Sequence, residues 1–168
     1  MAAKQDKTLD DLFEDTLKDI FYAENKILKA LPKMAKAAHS EELKAAFEKH
    51  EKETEEHVSR LEKVFEMIDT APRGKKCEAI DGIIEEGAEI MKEFKGAPAL
   101  DAGLVSAAQA VEHYEIARYG TLKRWAELMG LDEAVGLLDE TLGEEKDTDA
   151  TLTELADQQA NEMARAAE

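Results

Sequence analysis

A single carboxylate lies in an apolar stripe near the start of the chain. Read at helical spacing, the segment after Thr8 carries one apolar face, and Glu24 falls between Ile20 and Ile27 on that face. A carboxylate taken into a packed core destabilises the fold unless a cation, a proton or hydrogen bonds compensate its charge. The sequence therefore predicts that Glu24 has a partner elsewhere in the chain.

Three further glutamates are predicted to lie level with Glu24. The capping and helix-breaking residues indicate two helical hairpins, each with a short turn. Glu24 and Glu53 are equidistant from the first turn, and Glu115 and Glu144 are equidistant from the second. Residues equidistant from the turn of an antiparallel hairpin lie at the same height, because both helices rise equally per residue. Four helices would thus each offer one carboxylate at a common level.

Two histidines and a further glutamate lie one helical turn from these carboxylates. His50 and His57 flank Glu53 in the sequence, and Glu112 precedes Glu115. Carboxylates with a few imidazoles suit iron or manganese better than structural zinc, which prefers thiolates. The pattern predicts a site for two iron or manganese ions with ligands from Glu24, His50, Glu53, His57, Glu112, Glu115 and Glu144.

This pattern departs from the di-iron and di-manganese bundles, in which two helices each supply a Glu-x-x-His motif. Three residues after Glu53 stands Glu56, so that the imidazole comes one position later. Three residues after Glu144 stands Asp147, so Asp147 and the nearby Asp149 are also candidate ligands. The chain has 39 acidic residues, and some will reach a stripe by chance. The opposing interpretation is therefore that these glutamates are solvated, that the histidines are ordinary, and that they form no metal site.

Four long helices and one short helix are predicted to position these residues. The long helices run from Thr8 to about Ala38, from Ser40 to about Ile68, from Asp101 to about Met129 and from Asp132 to about Met163, with the short helix at 77–95. Thr8, Ser40 and Asp101 are the expected N-caps, and Pro32 is expected to kink or tighten the first helix. Short turns and one long connection predict an all-α crossover four-helix bundle, in one domain spanning 1–168.

Composition narrows the classes of function. The chain contains nine Gly and three Pro, and so few helix-breaking residues agree with an all-helical fold. A net charge of −17 argues against nucleic acid and anionic membrane surfaces as partners. No apolar run approaches a membrane span, and residues 1–7 lack the apolar segment of a signal peptide. The single Cys77 excludes an intrachain disulfide, so a cytoplasmic location is expected.

Several longer segments resemble one known family. The match lies in Val111–Leu122, Tyr22–Glu24, His50 with Glu53 and Thr54, and much of 140–149. These segments are similar to the signature of the YciE/YciF family of bacterial stress-induced proteins, and the resemblance covers nearly the whole chain. It implies a ferritin-like bundle, a homodimer and a cytoplasmic location, but no particular activity. His113 belongs to the signature but points off the predicted stripe.

Two functions from different classes follow from these observations. The first is a ferritin-like stress-response protein whose dinuclear iron or manganese site acts on oxygen or peroxide. The alternative is a non-enzymatic structural or interaction protein of the stress response, with a vestigial or purely structural metal site. An iron-storage cage is a third and weaker hypothesis, because it requires many subunits. Tyr22, Tyr114 and Tyr119 either border the site or pack in the core with a hydroxyl at the rim, and Cys77 is expected to be inert.

Overall fold

The computed structural model describes residues 6–166, and within this range the chain is helical without strands. The predicted all-α class is thus confirmed. Residues 1–5 and 167–168 lie outside the described residues, including most of the segment in which no signal peptide is predicted. The helices are α1 (Leu9–Ala37), α2 (Glu41–Met67), α3 (Glu78–Glu93), α4 (Leu100–Met129) and α5 (Asp132–Leu155), followed by a π-helical turn (Ala156–Ala160) and α6 (Asn161–Ala166).

The helix ends largely follow the predicted capping signals. Thr8 caps α1 through a capping box with Asp11, in which each residue's side chain accepts a hydrogen bond from the other's backbone N–H. Ser40 caps α2 by accepting from the amide of Leu43 at 3.2 Å. Gly130 ends α4 with a left-handed φ of 71°, which glycine adopts without steric cost. Pro32 lies inside α1, which continues to Ala37.

One capping prediction is wrong. Asp101 does not cap α4, because the helix begins earlier, after Ala99, and Asp101 lies buried in its first turn. Its carboxylate accepts hydrogen bonds from the backbone N–H groups of His39 and Ser40, both at 2.8 Å. These amides belong to the α1–α2 turn and would otherwise lack a partner. The last predicted helix does extend past Met163, although a π-helical turn divides it into α5 and α6.

The four long helices pack around one shared core. α1 packs against α2, α2 against α5, α5 against α4, and α4 against α1. The short α3 lies in the connection between α2 and α4, as predicted, and packs against α1 and α4. Apolar side chains fill both ends of the core, including Phe13, Leu17, Leu61 and Leu122 at one end and Leu31, Phe47, Leu104 and Leu152 at the other. Within residues 6–166, no helix combines the length and hydrophobicity that a membrane span requires.

Candidate metal centre

A layer of polar side chains lies buried midway along the four long helices. Each of its members takes a place in the inward stripe of its helix, where an apolar residue would otherwise stand. On α2, for example, Phe47, His50, His57 and Leu61 all follow the same buried face. The layer consists of Glu24 on α1, His50 and His57 on α2, Glu112, Glu115 and Tyr119 on α4, and Glu145 on α5.

One part of the layer is a group of three residues whose ligand atoms lie within 4.8 Å of one another. His57 Nδ1 lies 3.1 Å from Glu145 Oε1 and 3.4 Å from Glu24 Oε1. The hydroxyl of Tyr119 donates a hydrogen bond to Glu24. All four side chains are shielded from solvent. An imidazole and two carboxylates in this arrangement could hold a metal ion.

The second part is a group of four residues that meets the same distance limit: His50, Glu112, Glu115 and Glu145. His50 Nε2 lies 3.1 Å from Glu112 Oε1 and 3.8 Å from Glu145 Oε2. Glu145 therefore belongs to both groups, with one oxygen toward each histidine. Glu145 thus connects two neighbouring groups of residues, each of which could hold a metal ion.

Most ligand atoms of the layer lack a hydrogen-bond partner. Among residues 6–166, ten buried side-chain N and O atoms have none, and Arg118 Nε is the only one outside the layer and its rim. Both carboxylate oxygens of Glu115 and of Glu145 are in this state, as are single atoms of Glu24, His50, Glu53, His57 and Glu112. Buried polar groups are normally paired, because an unpaired one costs stability. The donor set thus fits a cation whose bonds would satisfy these atoms together.

The buried carboxyl groups resist ionisation. Burial, together with the neighbouring charge of Glu145, raises the pKa of Glu115 well above its ordinary value. Burial also raises the pKa of Glu145 to about 8, although His57 partly opposes this effect. The pKa of the Tyr119 hydroxyl is raised by burial and by the charge of Glu24. Without a cation, protons must therefore neutralise part of the layer.

The two histidines are held in the charged form. Burial alone would lower the pKa of His57, but contacts with Glu145 and Glu24 raise it to about 11. Burial likewise opposes protonation of His50, whose pKa Glu112 and Glu53 raise to about 10. Each imidazolium supplies positive charge where the carboxylates need it. A divalent cation would take over that role, and the histidines would then bind it as neutral ligands.

Glu53 and Glu144, two of the predicted ligands, lie at the rim. The side chain of Glu144 is 29% exposed and forms an ion pair with Arg60 at 2.5 Å, while His57 Nε2 lies 2.9 Å from it. Glu53 is 22% exposed and pairs with Lys49 at 2.6 Å, and its second oxygen lies 3.9 Å from His50 Nδ1. The nearby His50 lowers the pKa of Glu53 to about 2. Both carboxylates thus border the histidines from outside the buried layer.

Asp147 and Asp149, the additional candidates, lie away from the layer. Asp147 is exposed. Asp149 accepts a hydrogen bond from Gln109 at 3.1 Å and lies 3.2 Å from Nε2 of the exposed His113. The structure therefore brings together Glu24, His50, His57, Glu112 and Glu115, sets Glu53 and Glu144 at the rim, and leaves both aspartates outside.

Glu145 is the residue that the sequence reasoning missed. It lies midway between Leu138 and Leu152, which are both buried on α5. The prediction chose the adjacent Glu144, because Glu144 and Glu115 are equidistant from the turn between α4 and α5. Such a count gives the height of a residue but not its rotation, and consecutive helical residues point about 100° apart. The buried threonines Thr141 and Thr148 complete the true face. Counting them as inward residues is the signal that would have identified Glu145.

Thr54 occupies the inward position on α2 beside Glu53. It is fully buried, and its hydroxyl donates to the backbone carbonyl of His50 at 2.8 Å. This threonine consequently contributes no carboxylate to the layer. α2 supplies the buried layer with two imidazoles only, whereas α1, α4 and α5 supply the glutamates.

Of the three tyrosines, only Tyr119 contacts the buried layer. The hydroxyl of Tyr22 donates to Asp81 at 2.9 Å, on the side of α1 that faces α3. The hydroxyl of Tyr114 donates to Asp19 at 2.5 Å and lies 3.1 Å from the sulfur of Cys77. Cys77 is buried and also caps α3, which agrees with the prediction of an inert thiol.

Comparisons with known proteins place the chain in a family. Residues 8–165 match the profile described as a domain of unknown function, DUF892. The chain is 43% identical to Protein YciF of Escherichia coli (strain K12) over 159 residues, which are 94% of this chain and 96% of that protein. The resemblance noted in the sequence is therefore confirmed.

Solved structures extend this comparison. The crystal structure of the E. coli stress protein YciF superposes with a TM-score of 0.88 at 43% identity, covering 93% of this chain and 99% of that one. YcfI of Rhodopseudomonas palustris gives a TM-score of 0.86 at 44% identity, with coverages of 91% and 98%. A protein of Xanthomonas campestris pv. campestris, 22% identical with a TM-score of 0.68 over 89% of this chain and 92% of that one, shares the fold alone. On the evidence of its sequence and its fold, the chain belongs to the DUF892 family.

Proposed function

We propose that this chain is a ferritin-like four-helix bundle that holds two iron or manganese ions and acts in the response to stress. The observation that carries the proposal is the set of buried ligand atoms without hydrogen-bond partners, shared among α1, α2, α4 and α5. Buried carboxylates are normally paired or bind metal. Ligands projecting inward from facing helices are the usual way in which helical bundles build a dinuclear site.

The proposed ligands fall into two sets that share one carboxylate. Glu24, His57 and Glu145 form the first set, and His50, Glu112, Glu115 and the same Glu145 form the second. Glu53 and Glu144 remain proposed ligands at the rim, where they lie beside His50 and His57 respectively. This donor set is rich in oxygen, contains two imidazoles and lacks thiolate. Such a set favours iron or manganese over structural zinc.

The bound metal would supply redox change and Lewis acidity toward oxygen or peroxide. The residues of the chain prepare the site for it. Tyr119 orients Glu24 through its hydrogen bond, and Arg60 holds Glu144 beside His57. Each member of the layer is buried. Low exposure to solvent strengthens the charge interactions within it.

A role in stress follows from the relationship to the E. coli stress protein YciF, to which the chain is similar over nearly its full length. We extend the same relationship to a homodimer, as expected from the family resemblance. The single, buried Cys77 agrees with a reducing compartment, so a cytoplasmic location is part of the proposal.

Metal analysis tests the proposal directly. Protein produced with added iron or manganese is expected to retain about two ions per chain after desalting, because the layer leaves its ligand atoms unpaired. Glu24→Ala removes a ligand of the first set and is expected to lower the retained metal by about half. The exposed Glu55 on α2 offers a matched control, and Glu55→Ala is expected to leave the metal content unchanged.

Two results would contradict the metal site. One is less than about half an equivalent of either metal under any loading condition. The other is equal metal content in the parent chain and in Glu24→Ala. Circular dichroism of each variant separates a lost ligand from a lost fold, since most of the described residues are helical.

A specific observation favours a second, non-enzymatic function. The threonine at the inward position of α2, Thr54, leaves that helix without the Glu-x-x-His motif of the known dinuclear bundles. In this alternative the metal site is structural or vestigial, and the chain acts as a structural or interaction protein of the stress response. Removal of metal would then lower the thermal midpoint, while the loaded protein would neither oxidise ferrous iron nor consume peroxide. A turnover of either substrate that Glu24→Ala abolishes would exclude the alternative.

A further inference from the structure

A cavity of about 260 Å³ lies beside the proposed metal centre. It opens between α1, α3 and α4 and reaches inward to the buried polar layer. Its walls are mostly apolar and include Ile27, Ile83, Ile84, Met91, Val111 and Leu152. His50 and Glu112, both buried, lie at its base. The cavity therefore has a polar floor and a long apolar wall.

Lysines form the charged part of the cavity's mouth. Lys26, Lys29 and Lys33 line it from one face of α1, since residues three, four and seven apart share a helical face. Lys26 is engaged, because its amine lies 3.1 Å from Asp81. Lys29 and Lys33 are exposed and form no ion pair with any residue of 6–166. Two ammonium groups are thus available at the opening.

This concentration of positive charge runs against the composition of the chain. Acidic residues outnumber basic ones by 39 to 22, yet the only acidic residue lining the cavity is Glu112, at its buried base. A mouth with lysines and no lining carboxylate attracts anions locally. Apolar walls behind that mouth favour a ligand that also buries hydrocarbon. Both requirements are met by one class of molecule, an anion with an aliphatic chain.

We propose that this cavity binds an aliphatic monocarboxylate, with its carboxylate at Lys29 and Lys33 and its chain along the apolar wall. The volume lies just below the roughly 300–1,000 Å³ of pockets for drug-sized ligands, so the chain is of short to medium length. Binding itself does not require the metal, so this proposal stands apart from the proposed function.

Calorimetric titration with decanoate tests the proposal on the purified full chain. We expect saturable binding of one decanoate per chain, and weaker binding of the uncharged 1-decanol. The double charge reversal Lys29→Glu/Lys33→Glu is expected to weaken decanoate binding by about tenfold or more, since it replaces two attractions with two repulsions. The matched control is Lys36→Glu/Lys52→Glu, which reverses two exposed lysines outside the cavity. Its effect is expected to stay within about twofold.

A second variant tests the apolar wall. Ala30 is half-buried and lines the cavity, so Ala30→Leu should narrow it and weaken binding while the circular dichroism spectrum stays unchanged. The proposal is overturned if both double reversals weaken binding equally, if decanol binds as tightly as decanoate, or if no saturable binding occurs. Binding of inorganic phosphate as tight as that of decanoate would also overturn the proposal, because the apolar wall would then contribute nothing to the affinity.

Discussion

Glu145 is the carboxylate on which the geometry of the polar layer depends. Within the part of the chain that the structure describes, it alone lies within 4.0 Å of both buried histidines, at 3.1 Å from His57 and 3.8 Å from His50. Its neighbour Glu144 lies at the rim and is already paired with Arg60. Two adjacent glutamates on one helix therefore have different environments, because consecutive residues point about 100° apart.

Replacing each of these two glutamates by glutamine, one at a time, tests which of them binds the metal. Glu145→Gln is expected to abolish the retention of both ions, because both ligand sets lose the shared charge. Glu144→Gln is expected to retain more than about half of the parent's metal, because it removes only a rim carboxylate. Elemental analysis of the two variants after loading with iron or manganese measures the difference. The opposite ranking would show that the rim residue, and not the buried one, is the more important ligand.

At the scale of the element, Asp101 connects α4 to the turn of the other helical hairpin. The carboxylate accepts from two consecutive backbone amides, His39 and Ser40, at the point where α1 ends and α2 begins. Charge-assisted hydrogen bonds of this kind are stronger than neutral ones. The contact fixes one end of the α1–α2 hairpin against α4, and thereby helps to hold Glu24 opposite Tyr119.

Asp101→Ala is therefore expected to lower the free energy of unfolding by about 2 kcal/mol, since two backbone donors lose a charged acceptor. Asp101→Asn keeps one acceptor oxygen and should lose less. Urea unfolding, followed by circular dichroism, measures both changes. A loss below about 0.5 kcal/mol for Asp101→Ala would mean that water replaces the carboxylate without cost.

The sequence predicted the helices and the inward position of Glu24, because strong apolar periodicity determines which face of α1 is buried. On α5 it predicted inward positions for Leu138, Leu142 and Leu152, and all three are buried. It nevertheless chose Glu144 over the buried Glu145, because a count from the turn fixes the height of a residue but not its rotation about the helix axis. The role of Asp101 was likewise hidden, since its partners are 62 and 61 residues away. A local sequence pattern therefore predicts where helices begin and end. It does not predict which of two adjacent residues faces the core, or which distant residues form a hydrogen bond.

At the scale of the whole molecule, the metal-free layer makes stability depend on pH. The pKa values of His50 and His57 rise from 6.5 to about 10 and about 11 in the fold. Their contribution to stability is fully present below pH 6.5 and is lost as the pH rises through those values. The pKa of Glu145 rises from 4.5 to about 8 in the fold. Burial of this carboxyl group therefore becomes less favourable as the pH rises through that interval. The pKa of Glu115 is also raised in the fold. All four groups therefore lower the stability of the metal-free protein as the pH rises.

The metal-free protein is accordingly expected to lose stability between about pH 6 and about pH 9. Urea unfolding in the presence of a chelator measures this change, with the midpoint expected to be lower at the higher pH. The double variant Glu115→Gln/Glu145→Gln provides the control, because it removes two of the titrating groups and should flatten the dependence. An equal or higher midpoint near pH 9 would contradict the assignment of charges in the layer.

The polar layer also stands at ordinary positions of a regular repeat. On α1, the buried residues Leu17, Ile20, Glu24, Ile27 and Leu31 alternate at spacings of three and four, and α2 follows the same alternation through its histidines. Such spacing averages about 3.5 residues per turn, as in helices that coil around one another. The polar layer thus replaces one apolar layer in an otherwise regular core. The positions that face the core follow from this spacing alone, and the polar residue types that could hold a cation are a separate choice at a few of those positions.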